Sequence, residues 1–297
     1  MNRNPDIRTN HPKSLMMFIS SMLIFGTIGI FRKNLLLPSA FIACARGIIG
    51  GLFILAYTLV RRKTAAGRLP GRILAQLIFS GAVIGVNWIL LFEAYNYTTV
   101  AVATLCYYMQ PTIVMLVSPM IFGEKLTGKK AVCALIAIAG MVLISGVADG
   151  GHGPTGDPKG VFLGLGAAVC YAVVVIMNKR IGGIDAYQKT IVQLLSAGIV
   201  MIPYLLATGG FDGVSLNAGN IGLLAVIGLV HTGIAYVLYF GSIDGMKAQS
   251  IAIFSYIDPV SALLFSALLL KEALSIFGII GAVMIIGSAI ASETKAD

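Results

Sequence analysis

Read for its apolar and polar positions, the chain is a succession of long apolar runs separated by short polar turns. The runs fall at about 14–32, 38–60, 72–94, 99–122, 129–147, 159–178, 186–207, 219–241, 249–270 and 275–291. Each approaches the roughly 20 helical residues needed to cross a hydrocarbon core of about 30 Å. The apolar residues run continuously instead of alternating, which argues against a membrane barrel. The pattern therefore predicts an all-α polytopic membrane protein with ten transmembrane helices. The run from Ser14 to Phe31 follows basic residues, as a secretory signal would, but no small-residue cleavage site lies behind it and Arg32 and Lys33 come next. It is read as a retained first span.

A second pattern lies over the first. Tyr108, Pro111 and Glu124 return as Tyr256, Pro259 and Glu272, each after 148 positions, and Trp88, Phe92 and Val102 stand opposite Tyr236, Phe240 and Ser250 at the same interval. The turn-prone stretch from Asp149 to Pro158 separates the copies. Residues 1–148 are thus expected to form a first five-helix repeat, 149–158 an extracytoplasmic linker and 159–297 a second repeat. Because five is odd, the second copy enters the membrane inverted relative to the first.

Composition and charge orient this arrangement. With 58% hydrophobic and 11% charged residues, the chain falls well below the roughly 25% charge of soluble domains. Of its 21 Lys and Arg, sixteen fall on the side of the N-terminus and four on the other, with Arg46 inside a span. Basic residues collect on the cytoplasmic side of membrane proteins, so both termini are expected in the cytoplasm, with the chain in the cell's inner membrane. The net charge of +9 is accounted for by this bias, and nucleic acid is not an expected partner.

Together these features resemble a known family. Ten helices in two inverted halves, short turns carrying Gly123-Glu124-Lys125-Leu126-Thr127 and Lys271-Glu272-Ala273-Leu274-Ser275, and an aromatic-x-x-Pro in the preceding helix (Tyr108 to Pro111, Tyr256 to Pro259) are similar to the EamA branch of the drug/metabolite transporter superfamily. Within it the chain resembles the YddG-type exporters of aromatic and other neutral amino acids. The resemblance implies secondary transport, usually outward, through a central cavity between the halves and without a cofactor.

The residues supply candidates for that cavity. Asp258 lies near the middle of its span, where a charged group costs about 2.5–3.5 kcal/mol on insertion scales. It reads as a counter-ion to a substrate ammonium or as a proton carrier, the alternative being an acid that stabilises backbone freed by Pro259. His231, at comparable depth, is the second coupling candidate, or else a bond to a neighbouring helix. Pro111 and Pro259 are candidate hinges, since each removes a backbone hydrogen bond near mid-span. Around them Asn87, Trp88, Tyr107, Tyr108, Gln110, Tyr236, Tyr239 and Tyr256 are candidates for substrate contact, against the plainer role of packing. Arg46 and Glu93, of opposite charge and similar depth, are expected to form a salt bridge or outer gate, with substrate carboxylate binding by Arg46 as the alternative. Glu124 and Glu272 read as caps of the helices that follow them, or as partners of nearby lysines. The four cysteines fall within spans as small core residues.

No phosphate loop, His-Glu-x-x-His helix or Cys-x-x-Cys pair occurs, so no catalytic residue, metal or cofactor is expected. The expected partners are a small-molecule substrate and the lipid bilayer, with the chain a monomer or a homodimer. The neutral, aromatic wall favours small amphipathic metabolites, neutral and aromatic amino acids first. Efflux of organic cations or drugs is the alternative, and an intramembrane enzyme built on Asp258 and His231 a more distant one.

Overall fold

A computed structural model of the chain describes residues 11–60, 69–97, 103, 106–144, 158–270 and 276–293. Among these residues the secondary structure is helical throughout, without a strand. The helices are α1 (His11–Lys33), α2 (Ser39–Val60), α3 (Gly71–Tyr97), α4 (Gln110–Phe122), α5 (Gly128–Ile144), α6 (Pro158–Arg180), α7 (Ala186–Thr208), α8 (Ala218–Ile243), α9 (Ala248–Phe254), α10 (Ile257–Leu270) and α11 (Ile276–Glu293). Helices α2, α6, α7 and α8, the segment Gly71–Ala94 of α3 and the stretch Ala248–Leu269 are each long and apolar enough to span a bilayer, and shorter apolar helices accompany them. The chain is a multi-pass membrane protein. Glu272, Lys271 and nearly all of the expected linker lie outside the described residues.

The packing runs chiefly between the halves of the chain. Helix α1 lies against α8 and α10, α2 against α7 and α8, α3 against α6 and α7, α4 against α6 and α9, and α5 against α11, whereas α2 and α3 touch each other little. Lipid gives helices no hydrophobic reason to associate, so contacts of this kind depend on small residues that let backbones approach. Gly81 and Gly85 perform this role on α3. A Cβ at Gly81 would stand 2.5 Å from the Gln193 carbonyl oxygen, and one at Gly85 2.7 Å from that of Ala197, both on α7.

Two local irregularities position the centre of the molecule. The continuous span expected over 249–270 is instead interrupted at Ser255 and Tyr256, between α9 and α10. A matching turn at Tyr108 and Met109 separates helical Cys106 and Tyr107 from α4. Pro111 and Pro259 follow these breaks, each in the first turn of the new helix, where a missing N–H leaves no intrahelical bond unmade. The interruption therefore precedes each proline instead of centring on it. The second irregularity is a widened π-helical turn over Ile227–Ile234 of α8. Such turns recur at functional sites, and this one contains His231.

Candidate functional site

The two helix breaks face each other across the halves. The Tyr108 hydroxyl, at the first break, donates to Oδ2 of Asp258 at 3.0 Å. The Tyr256 hydroxyl, at the second, shares a hydrogen bond of 3.0 Å with Oγ1 of Thr112 in the first turn of α4. Each tyrosine thus reaches from one interrupted helix into the start of the other. Asp258 lies midway along the span Ala248–Leu269 and in the first turn of α10, where the helix N-terminus favours negative charge.

Aromatic rings continue from this pair into the bundle. Tyr107 packs on Tyr108 at 5.7 Å between centroids and on Tyr171 at 5.9 Å, Tyr171 stacks on Tyr239 at 6.2 Å, and Tyr239 meets Tyr236 at 6.4 Å. Trp88 belongs to the same buried cluster as Tyr236 and Tyr239, and the Arg46 guanidinium lies over its ring, 4.5 Å from the centroid. A line of rings therefore runs from Tyr108, at the Asp258 carboxylate, to Tyr236, and the cluster that holds Tyr236 also holds the Trp88 ring beneath Arg46. Tyr107, Tyr171 and Asp258 are half-buried.

Arg46 and Glu93 are not brought together. Among the described residues no ion pair joins them: Arg46 turns to Trp88, while Glu93 accepts from the Tyr204 hydroxyl and, at 3.4 Å, from Nδ2 of Asn96. Depth along a helix can be read from sequence, but the direction a side chain takes around it depends on the neighbouring helices. A cation over an indole gains about 0.5–2 kcal/mol, less than the roughly 2.5–3.5 kcal/mol that a charge at the centre of a span costs. Nε of Arg46 is buried and has no hydrogen-bond partner among the described residues.

The other candidates divide between the helix breaks and the packing. His231 is buried, its Nε2 2.9 Å from Oγ1 of Thr27 and its ring edge-on to Phe31 at 4.8 Å, and among the described residues no hydrogen bond joins it to Asp258. Asn87 is buried and ties α3 to α6 by donating to the Ala167 carbonyl at 2.6 Å. Gln110 begins α4 beside the break, and its Nε2 is buried without a partner among the described residues. Tyr171, Thr112 and Thr27 escaped the sequence reading. Tyr171 sits in an apolar stretch of α6 without a repeat partner to mark it.

One face of the bundle carries a polar cluster. Glu124, between α4 and α5, accepts from the backbone N–H groups of Ala248 at 3.0 Å and Gln249 at 3.3 Å, and its Oε1 lies 3.6 Å from Nζ of Lys179. Its carboxylate thus caps α9, across the molecule, and not α5 as the sequence suggested; Thr127 Oγ1 accepts from Lys130 N–H at the start of α5 instead. Lys179 also donates to the Met246 carbonyl. Beside it, Lys189 is fully buried and donates to both carboxylate oxygens of Asp244, at 3.0 and 3.1 Å. Asp244 accepts in addition from the Gly183 N–H at 3.2 Å.

Comparison with known proteins bears on what this arrangement serves. The family model of the EamA-like transporter family matches twice, over residues 12–146 and 158–292. The uncharacterized transporter YxxF of Bacillus subtilis (strain 168) is 27% identical over 290 residues, which is 96% of this chain and 91% of that one. Protein PecM of Dickeya dadantii (strain 3937) is 27% identical over 72% of each chain. A probable amino-acid metabolite efflux pump of Escherichia coli (strain K12) is 29% identical over 66% of this chain and 68% of its own. A crystal structure 20% identical in sequence superposes with a TM-score of 0.83, covering 95% of this chain and 97% of the other, and so shares the fold.

Proposed function

The chain belongs to the EamA-like transporter family, and on that premise we propose that it is a secondary carrier, working outward, for small amphipathic metabolites, neutral and aromatic amino acids before others. It lies in the cell's inner membrane with both termini in the cytoplasm and ten spans in two inverted repeats, and it alternates access around the tyrosine-lined cleft. The pairing of helices supports the inverted plan: exchanging α1, α2 and α3 for α6, α7 and α8, α4 for α9 and α10, and α5 for α11 returns the same set of contacts.

The observation that carries this reading is the pair of reciprocal tyrosines, Tyr108 on Asp258 and Tyr256 on Thr112, at two interrupted helices. Broken helices meeting at mid-membrane present polar groups where carriers of this architecture hold substrate. Rings from Tyr107, Tyr171, Tyr236 and Tyr239 suit an apolar body, and the Asp258 carboxylate suits an ammonium. Pro111 and Pro259 serve as hinges, because a first-turn proline lets the helix after a break swing without losing an internal bond. The efflux pump among the relatives points to the same class of cargo.

Efflux of organic cations is the second reading, since the same carboxylate and rings would hold a cation. Counterflow in proteoliposomes, with labelled neutral amino acids and organic cations and with or without a pH gradient, separates the two. Amino-acid exchange above that of empty liposomes, lost in Asp258→Asn, is the expected result. Exchange of cations alone would replace the amino-acid reading.

A further inference from the structure

Arg46 has no counter-ion among the described residues. Glu93, the carboxylate at similar depth, is engaged by Tyr204 and Asn96. Asp258 is answered by Tyr108, and among the described residues no ion pair joins it to Arg46. Yet Arg46 lies over Trp88, which packs in the same buried cluster as Tyr236 and Tyr239. Arg46 and Asp258 are thus opposite charges on α2 and α10, each set against aromatic side chains.

We propose that Arg46, seated on Trp88, is the anion-recognising pole of the substrate site and takes a carboxylate of the substrate. The planar guanidinium can hold a carboxylate by two parallel hydrogen bonds, and Nε, buried and without a partner among the described residues, is one of the donors such a fork uses. Trp88 holds the guanidinium from one side, 4.5 Å from its ring centroid. A substrate ammonium then lies over the tyrosine faces on the Asp258 side. This rests on the carrier reading above and narrows it to compounds bearing both charges, which separates amino acids from simple organic amines.

The test is isothermal titration of the purified full chain with three probes of one shape: L-phenylalanine, L-phenylalaninamide, which lacks the carboxylate charge, and 3-phenylpropionate, which lacks the ammonium. In the parent, L-phenylalanine is expected to bind at least roughly tenfold more tightly than its amide, as loss of a hydrogen bond to a charged group implies. In Arg46→Gln that advantage should collapse toward unity while affinity for the amide is kept. Arg46→Lys should retain part of it, and thermal unfolding of both variants checks that they are folded. Equal binding of acid and amide in the parent, or an unchanged ratio in Arg46→Gln, overturns the role of Arg46 and leaves the amino-acid carrier standing. Binding of the amide without L-phenylalanine overturns both, as does binding of neither.

Discussion

The Tyr108 hydroxyl and the Asp258 carboxylate, 150 positions apart in sequence, meet at 3.0 Å where two interrupted helices face each other. A carboxylate held this way at mid-span is partly compensated by its donor and by the N-terminus of α10.

Substitution should separate the two members of this pair. Asp258→Asn keeps the shape and removes the charge, and is expected to lower initial counterflow of a neutral amino acid by at least about tenfold, equivalent to roughly 1.4 kcal/mol. Tyr108→Phe removes the hydrogen bond but leaves the carboxylate, so a smaller loss of counterflow is expected. Parental rates in Asp258→Leu would remove Asp258 from the site.

Coupling to protons has its own readout. If His231, bonded to Thr27 within the widened turn of α8, takes part in proton movement, an imposed pH gradient stimulates flux in the parent and ceases to do so in His231→Ala. Flux indifferent to the gradient in the parent would exclude coupling altogether.

Glu124 should matter to stability more than to cargo. Glu124→Ala strips α9 of its cap and leaves Lys179 without its carboxylate. An N-cap is worth roughly 0.5–2 kcal/mol, and the thermal midpoint in detergent should fall accordingly. Glu124→Gln, which can still accept from an amide, should fall less. Equal midpoints for Glu124→Ala and the parent would contradict the cap.

Lys189→Met leaves Asp244 facing a neutral neighbour. Breaking a buried pair from one side costs about 3–5 kcal/mol; since roughly a third of the Asp244 side chain is exposed, the lower end or less is expected. Adding Asp244→Asn to Lys189→Met should recover part of the lost midpoint, and a double variant less stable than Lys189→Met would count against the pairing.

Gly81→Val tests the contact between α3 and α7. Its Cβ would press on the Gln193 carbonyl, and overpacking costs typically about 1–3 kcal/mol. Reduced folded yield by size-exclusion chromatography is the expected outcome, whereas the same change at Gly71, whose Cβ would meet nothing within 4 Å, should be silent.

The membrane class and the existence of most spans are legible because apolar runs are long and sharply bounded. Asp258, Tyr108 and Trp88 stand out for the related reason that polar or repeated residues are conspicuous inside such runs. What sequence does not carry is rotation about the helix axis. That is why Arg46 finds Trp88 and not Glu93, and why Glu124 caps a helix in the other half. Lys189 illustrates the same limit: it counts among the orienting charges when read along the chain, yet it has no exposed surface once Asp244 and α6 close over it. The break at Tyr256 is hidden because both of its flanks are apolar.

The pairing of Lys189 with Asp244 also imposes an order on biogenesis. The aspartate is made 55 residues after the lysine, a delay of roughly 3–11 s at about 5–20 residues per second. Throughout that interval the newly made α7 carries a cation without its counter-ion. Completion of α8, and not of α7, is the event that lets this corner of the bundle close.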